Sequence, residues 1–222
     1  MNCPICKSNN VLDLIYRQGN FKCSDCGHLF KYGIFDYTWY KKIDYWYKDS
    51  KEHLLLNQKS FYAVYENFIV NYLNALEIGA ADGDFLSLLT KKINYLYYNE
   101  LVDNLRPEYK NKIQKKYIGD LKEIKFDQKF KNIFLNDVIE HFDNPKQYMD
   151  IIYNLLEENG RLFLLTNNGD FLNAHNEIIY HNEHCNIFTR KSFDIFIQEY
   201  NFKKILHMNT FNGLTFIILE KV

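Results

Sequence analysis

Four of the five cysteines fall into two close pairs near the start of the chain. Cys3 and Cys6, then Cys23 and Cys26, give the spacing C-x2-C-x16-C-x2-C. A two-residue gap in a tight turn lets both thiolates of a pair reach one ion. Two such turns close a tetrahedral sulfur shell around zinc at about 2.3 Å. Gly27, directly after the second pair, suits a turn that needs positive φ. Between the pairs, Val11 to Tyr16 and Phe21-Lys22 read as short strands joined through Gln18-Gly19-Asn20, the outline of a zinc ribbon. About 30 residues bury too little core to fold unaided, so a metal staple is physically needed. Four protein ligands leave no open position, which makes this zinc structural. The competing readings are four metal-free thiols or a redox pair. Cys185 stands far from the others and reads as an unpaired buried thiol.

A second group of chemically useful residues lies where a strand gives way to a helix. Ala75 to Ile78 reads as a buried strand, followed by Gly79-Ala80-Ala81-Asp82-Gly83-Asp84. Small residues in such a turn let the backbone approach a ligand closely. The spacing G-x-A-x-G fits the G-x-G-x-x-G of a dinucleotide site poorly. Glu100 ends the next strand, 23 residues beyond Glu77. An acid there can accept both hydroxyls of a ribose, although alone it reads equally as a solvated strand end. His141 follows a later strand, and His181 and His184 lie on the loop after the next one. Each can act as a general base near neutrality or hold a structural hydrogen bond.

The elements able to position these groups follow from periodicity. Strands at 75–78, 95–100, 133–135 and 161–166 alternate with helical patterns. The helices run from Asp84 to Lys92, through Tyr148, Ile151, Ile152 and Leu155, and through Phe193, Phe196, Ile197 and Tyr200. Late strands are expected at 203–208 and 215–219. This order predicts an α/β fold with a mostly parallel sheet covered by helices on both faces. Ligands of such sheets sit beyond the carboxyl ends of the strands. The expected organisation is a ribbon over 1–35, a linker with an N-terminal helical segment over 36–71, and the α/β domain over 72–222. In the linker, Phe61, Tyr65, Phe68, Ile69 and Tyr72 recur at helical spacing, while Tyr45, Trp46 and Tyr47 either pack or close over a ligand.

Composition sets the outer bounds. Of 222 residues, 47% are hydrophobic and 25% charged, which excludes a disordered chain. Twenty-seven basic against 28 acidic residues leave a net charge of −1, so no global field attracts nucleic acid or an anionic membrane. The longest apolar run, Phe61 to Tyr65, is five residues, far short of the roughly 20 that span a bilayer. The opening Met1-Asn2-Cys3-Pro4 lacks a basic-then-apolar signal region. A soluble, cytoplasmic protein is expected.

These residues carry a family resemblance. Leu76 to Gly83 resembles motif I, E-x-G-x-G-x-G, of the class I S-adenosylmethionine-dependent methyltransferases, with Ala81 in place of the middle glycine. Ile118-Gly119-Asp120-Leu121 resembles the segment after the family's third strand. Phe134 to Phe142 followed by Asn144-Pro145 is similar to the segment after strand four in the small-molecule, sugar-type branch. Asn159-Gly160-Arg161-Leu162 resembles the turn into strand five, and His184 to Thr189 the H-x-x-x-F-T stretch before the last helix. The likeness spans roughly Tyr72 to Val222 and implies a Rossmann-like sheet of seven strands.

The resemblance implies S-adenosyl-L-methionine as cofactor, with adenosylhomocysteine as product. It places the Gly79–Gly83 turn, with Ala80 and Asp82, against the methionine part. Glu77 underlies that turn, and Asn136 stands beside the methionine amine. Glu100 takes the ribose and Asp120 the adenine, with Leu101 and Leu121 beside them. Transfer from a sulfonium is an in-line displacement, so the enzyme must hold the acceptor about 3 Å from the methyl carbon, on axis and dry. A base is needed only for a neutral hydroxyl; His141 is then the first candidate, with His184 and His181 within reach of the same mouth. Enzymes of similar layout act on sugars of surface-glycan and natural-product pathways, or on capsule substituents such as phosphoramidates. The acceptor expected here is accordingly a small polar molecule or glycan building block, methylated on oxygen. An RNA methyltransferase that uses the ribbon to grip RNA is the alternative. Against it stand Asn136-Asp137-Val138-Ile139 in place of N/D-P-P-Y and a ribbon of modest charge. A non-catalytic partner-binding module is disfavoured by the presence of Glu77, Gly79, Gly83 and Glu100. The sequence carries no signal for an oligomeric state.

Overall fold

The computed structural model describes residues 1–14, 19–31, 51–171 and 184–222, with side chains from residue 56 onward in the first helix. Tyr45, Trp46, Tyr47 and His181 lie outside the described residues. Three short strands open the chain, β1 (Val11–Asp13), β2 (Asn20–Cys23) and β3 (Leu29–Lys31). Helix α1 (Lys51–Tyr65) leads into β4 (Asn74–Ile78), α2 (Asp84–Leu89), β5 (Tyr95–Glu100), α3 (Pro107–Lys110), β6 (Ile113–Ile118) and β7 (Phe130–Asn136). A 3₁₀ turn at Ile139–His141 and helix α4 (Pro145–Leu155) connect to β8 (Leu156–Asn167). The chain ends with β9 (Asn186–Ile187), α5 (Arg190–Ile197), β10 (Phe202–Asn209) and β11 (Leu214–Lys221).

The main sheet has seven strands in the order β6-β5-β4-β7-β8-β11-β10. Strands β4 to β8 pair in parallel, and β11 and β10 close one edge antiparallel. The alternation of side chains along each strand sends neighbours to opposite faces. Leu76, Ile78, Ile133, Leu135, Leu162 and Leu164 pack under α4 and α5. On the other face, Phe134, Phe163 and Phe216 meet Phe61 and Tyr65 of α1 and Phe85 of α2. Phe134 stacks on Phe163 at 4.5 Å, and Tyr65 meets Phe163 edge-on at 5.2 Å. Burial on both faces gives continuous apolar runs, as in β8.

Helix α2 ends at Leu89, three residues short of the expected Lys92, and three further elements differ from the sequence expectation for identifiable reasons. Helix α1 stops at Tyr65, and Tyr72 is exposed. Side chains from the sheet capture the backbone beyond it: Arg161 donates to the Phe68 carbonyl at 2.7 Å, and the Asn132 amide brackets Val70 with bonds of 3.0 and 2.8 Å. Helix α5 stops at Ile197; Tyr200 lies past its end and donates to Asp150 at 2.7 Å. Strand β8 begins at Leu156 because Leu156 already pairs with Phe130, ahead of an irregular step before Arg161.

A smaller sheet, β1-β2-β3-β9, takes its fourth strand from the far side of the sequence, with Leu29 opposite Ile187 and Phe30 opposite Asn186. Thr189 caps α5 in a reciprocal bond pair with Ser192 and donates to the Cys26 carbonyl at 2.7 Å. Cys3, Ile5, Cys23, Cys26 and Phe30 join the apolar cluster on the α4–α5 face. Among the described residues, no helix is long and apolar enough to cross a membrane.

Candidate active site

The strand order reverses direction of growth between β4 and β7, and a parallel sheet opens a crevice at such a point, beyond the strands' carboxyl ends. A cleft of about 560 Å³ lies there. Its lining comes from the segments that follow β4, β5, β6 and β7, with one wall from α4.

The turn after β4 runs close to the neighbouring segment. Gly79 adopts φ +72°, and a Cβ there would collide with Val138 Cγ2. Ala81 also takes a left-handed φ, +48°. A side-chain-bearing residue in that region costs roughly 1–2 kcal/mol. The Ala81 N–H donates to Glu100 Oε2 at 2.8 Å, which holds the turn in place. The other Glu100 oxygen accepts from the Leu101 N–H at 2.7 Å. Glu100 is buried, and burial pushes its carboxyl above the ordinary glutamate range while the two N–H groups pull it back.

Behind this turn sits a second acid. Glu77 is buried, and Oε2 has no hydrogen-bond partner among the described residues. Burial, then the charges of Glu100 and Asp82, drive its carboxyl well above the ordinary range. The Asn136 amide lies near enough to favour the carboxylate, yet both its polar atoms are buried outside hydrogen-bonding geometry. At the far end of the turn, Arg106 pairs with Asp82 and reaches Asp84 at 3.1 Å, where Tyr109 also donates at 3.4 Å. Burial and the Asp82 charge raise Asp84, and Arg106 counters them.

The opposite wall is built on Asp120. Its carboxylate accepts the Tyr148 hydroxyl at 3.1 Å to each oxygen and the Lys122 N–H at 2.8 Å. Tyr148 stacks on Phe142 at 4.0 Å, with the rings 8° from parallel. His141 also lines the cleft, and its ring meets that of His184 edge-on at 4.9 Å. Beside His141, Glu140 has no solvent exposure, and burial pushes its carboxyl up to about 7. Asp137, between them and β7, is exposed to solvent. Cys185 is buried, its thiol donating to the His141 carbonyl at 3.4 Å, and burial pushes it up to about 12.

Away from the cleft, the four N-terminal cysteines converge. Their sulfurs lie within 4.8 Å of one another, with Cys3–Cys26 at 3.7 Å and Cys6–Cys23 at 3.5 Å. A sulfur tetrahedron with bonds of about 2.3 Å has edges of about 3.8 Å, so the donor set fits one zinc ion. The same distances are far too long for disulfides, and all four are free thiols.

Of the residues singled out in the sequence, Gly79, Glu100, Leu101, Asp120, Leu121 and His141 line the cleft, and His184 stands against His141. Ala80 packs in the core under α1 and α2, Asp82 faces Arg106, and Gly83 packs on Leu105. Glu77 and Asn136 lie behind the turn. Asn99, Val138, Phe142 and Tyr148 also line the cleft. Tyr148 carried a sequence signal as part of an amphipathic helix, Asn99 lay in an expected strand, and Val138, Glu140 and Phe142 lay in the segment likened to the one after strand four, with no role assigned to them; Arg106 carried none.

Residues 44–207 match the family described as "Methyltransferase domain", Methyltransf_23. No curated protein matches the sequence. Several solved structures share the fold. The PH0226 protein from Pyrococcus horikoshii OT3 superposes with a TM-score of 0.67 at 14% identity, covering 82% of this chain and 98% of its own. The 1,6-didemethyltoxoflavin-N1-methyltransferase of Burkholderia thailandensis, with bound 1,6-didemethyltoxoflavin and S-adenosylhomocysteine, gives 0.67 at 13%, covering 90% and 97%. The N-methyltransferase NodS of Bradyrhizobium japonicum WM9, in complex with S-adenosylhomocysteine, gives 0.63 at 12%, covering 84% and 99%.

The Arg106 cluster gives a direct test of how the turn is held. Its side chain is 22% exposed, and those of Asp82 and Asp84 are 12% and 7%. Arg106→Ala leaves two near-buried carboxylates facing each other, which is expected to cost up to about 3–5 kcal/mol. Urea denaturation at pH 7 measures it; an unchanged midpoint would show that solvent screens the pair.

Proposed function

The chain belongs to the methyltransferase-domain family, and on that premise we propose that it is an S-adenosylmethionine-dependent enzyme that methylates an oxygen of a small polar molecule or glycan building block. A sugar or a capsule substituent such as a phosphoramidate fits this class. The observation that carries the reading is the cleft at the β4–β7 switch point, lined by Glu100, Asp120 and His141. S-adenosylmethionine carries a sulfonium and an ammonium, and this acid-rich surround complements them.

When bound, the cofactor supplies a methyl group on an electrophilic sulfonium. The protein's part is positioning. Glu100 accepts the ribose hydroxyls while its two backbone bonds keep it oriented. Asp120, fixed by Tyr148, meets the adenine amino group, and Leu101 and Leu121 pack beside it. The Gly79–Gly83 turn brings backbone against the methionine part, with Ala80 and Asp82 shaping that turn from behind. Glu77 Oε2 and the Asn136 amide, buried without hydrogen-bond partners among the described residues, offer acceptors for the amine. His141 and His184 flank the acceptor and can take or share its proton. The four cysteines hold a structural zinc, and reduced thiolates suit the cytoplasm. A balanced charge argues against nucleic acid as the partner.

Three outcomes test these assignments. Incubation with methyl-labelled S-adenosylmethionine should label sugar nucleotides or glycans, and His141→Ala should cut that turnover at least about tenfold with cofactor affinity within a few-fold. Labelling of ribosomal RNA with none in glycans would sink the acceptor class. Glu100→Ala should weaken adenosylhomocysteine binding more than tenfold by calorimetry, since each charge-assisted bond contributes roughly 1.5–3 kcal/mol. Because burial raises Glu100, and only its ionised form accepts with both oxygens, affinity should fall on acidification at a higher pH than an ordinary carboxylate dictates. Glu100→Gln should abolish that dependence. Elemental analysis of freshly purified protein should find one zinc per chain; less than half an equivalent would refute the ribbon's metal.

A further inference from the structure

Glu140 and His141 are consecutive residues of the 3₁₀ turn after β7, and His184 lies two residues before β9. A carboxylate oxygen of Glu140 and a ring nitrogen of each histidine lie within 4.8 Å of one another. Glu140 is wholly buried; Oε2 accepts from Thr166 at 3.0 Å, and Oε1 has no partner among the described residues. A buried carboxylate oxygen without a donor is costly unless something positive meets it. Thr166 holds the carboxylate from behind, as ligating carboxylates are commonly held. The Cys185 N–H donates to the Glu140 carbonyl at 2.7 Å, which ties the two ligand-bearing segments together. His141 lines the cleft, so the group opens toward it.

We propose that Glu140, His141 and His184 bind one divalent cation that chelates the methyl acceptor through two oxygens on neighbouring atoms. This rests on reading the cleft as the acceptor mouth of a methyltransferase. Two imidazoles and one carboxylate suit a first-row transition ion better than calcium, and three protein ligands leave positions open for substrate. Ligand atoms about 2.0–2.2 Å from an ion stand about 3–4.4 Å apart, which small side-chain rotations bring about here. The acceptor class narrows to a vicinal diol, an α-hydroxy acid, or a hydroxyl beside a phosphoryl oxygen. Bound to the ion, the acceptor hydroxyl loses its proton to water near neutrality. The oxygen then attacks the methyl carbon; the O–C bond forms, the S–C bond breaks, and its electron pair stays on sulfur. The ion thereby takes over the activation that a lone His141 would supply as base.

The test is a Mn²⁺ titration followed by electron paramagnetic resonance. It uses the full-length protein after a chelating resin has removed loosely held metal, with ribbon zinc counted before and after. One Mn²⁺ per chain is expected, with affinity reduced at least about tenfold in Glu140→Gln and in His184→Ala. Glu140→Gln keeps the side chain's volume and its bond to Thr166, and His184 is only half-buried, so both variants should fold. Adenosylhomocysteine affinity, measured on the same samples, should stay within a few-fold. No bound Mn²⁺, or equal binding in wild type and both variants, overturns the site. Intact adenosylhomocysteine binding alongside that failure leaves the methyltransferase reading standing. Its loss in the wild type would instead overturn that reading while the Mn²⁺ result speaks for the site alone.

Discussion

Parallel pairing on both sides of β4 is the constraint from which the active cleft follows. A strand buried on both faces and both edges cannot accept polar side chains along its length unless a ligand or a partner awaits them. Strands β4 to β8 point the same way, so their carboxyl ends gather at one edge of the sheet. The turns that leave β4 and β7 depart to opposite sides and open the crevice between them. Chemically useful residues accumulate there because the sheet interior excludes them. Asn74, Asn99, Asn132 and Thr166 are buried in these strands with hydrogen-bond partners, whereas Glu77 sits buried inside β4 with its carboxyl driven well above its ordinary titration range.

The turn after β4 shows how function and strain are combined. Ala81 holds a left-handed backbone that glycine adopts at no steric cost. The Glu100 carboxylate bonds to its N–H. Glu100 therefore does two things with its two oxygens: it fixes a strained turn and presents remaining lone pairs to the cleft. On the opposite wall Asp120 is placed the same way, by Tyr148, which is itself stacked on Phe142. Neither acid is free to swing, so little ordering remains to be done when a ligand arrives.

Much of this was legible in the sequence, and the exceptions have physical causes. Strands β4, β5, β7 and β8 announced themselves as short apolar runs because both faces are covered. Strand β6 did not, since it lies at the sheet edge and reads Ile113-Gln114-Lys115-Lys116-Tyr117-Ile118, with polar residues facing water. The four-cysteine cluster was legible because its ligands come in local pairs. Arg106 was not: it meets Asp82 and Asp84 across 24 and 22 residues, and nothing local marks it. Glu140 lay within the segment likened to the one after strand four, yet nothing local marked its role. A glutamate followed by a histidine in a polar-looking turn suggests solvent, and only the tertiary structure buries it against Thr166. Strand β9, two residues long, falls below any periodic signal.

That same short strand links the small four-cysteine sheet to the cleft. Strand β3, which follows the second cysteine pair, is hydrogen-bonded to β9, and the Lys31 N–H donates to the Cys185 carbonyl at 2.9 Å. The Cys185 N–H in turn donates to the Glu140 carbonyl, and the Asn186 amide donates to the Phe142 carbonyl at 2.5 Å. From the cysteine cluster to the turn that carries Glu140 and His141, the connection is therefore a continuous run of backbone and amide hydrogen bonds. The segment 184–187 stands shortly before the cap of α5. Pairing with the ribbon gives it a strand on one side and the 3₁₀ turn on the other. The four-cysteine sheet thus backs the segment in which His184 meets His141.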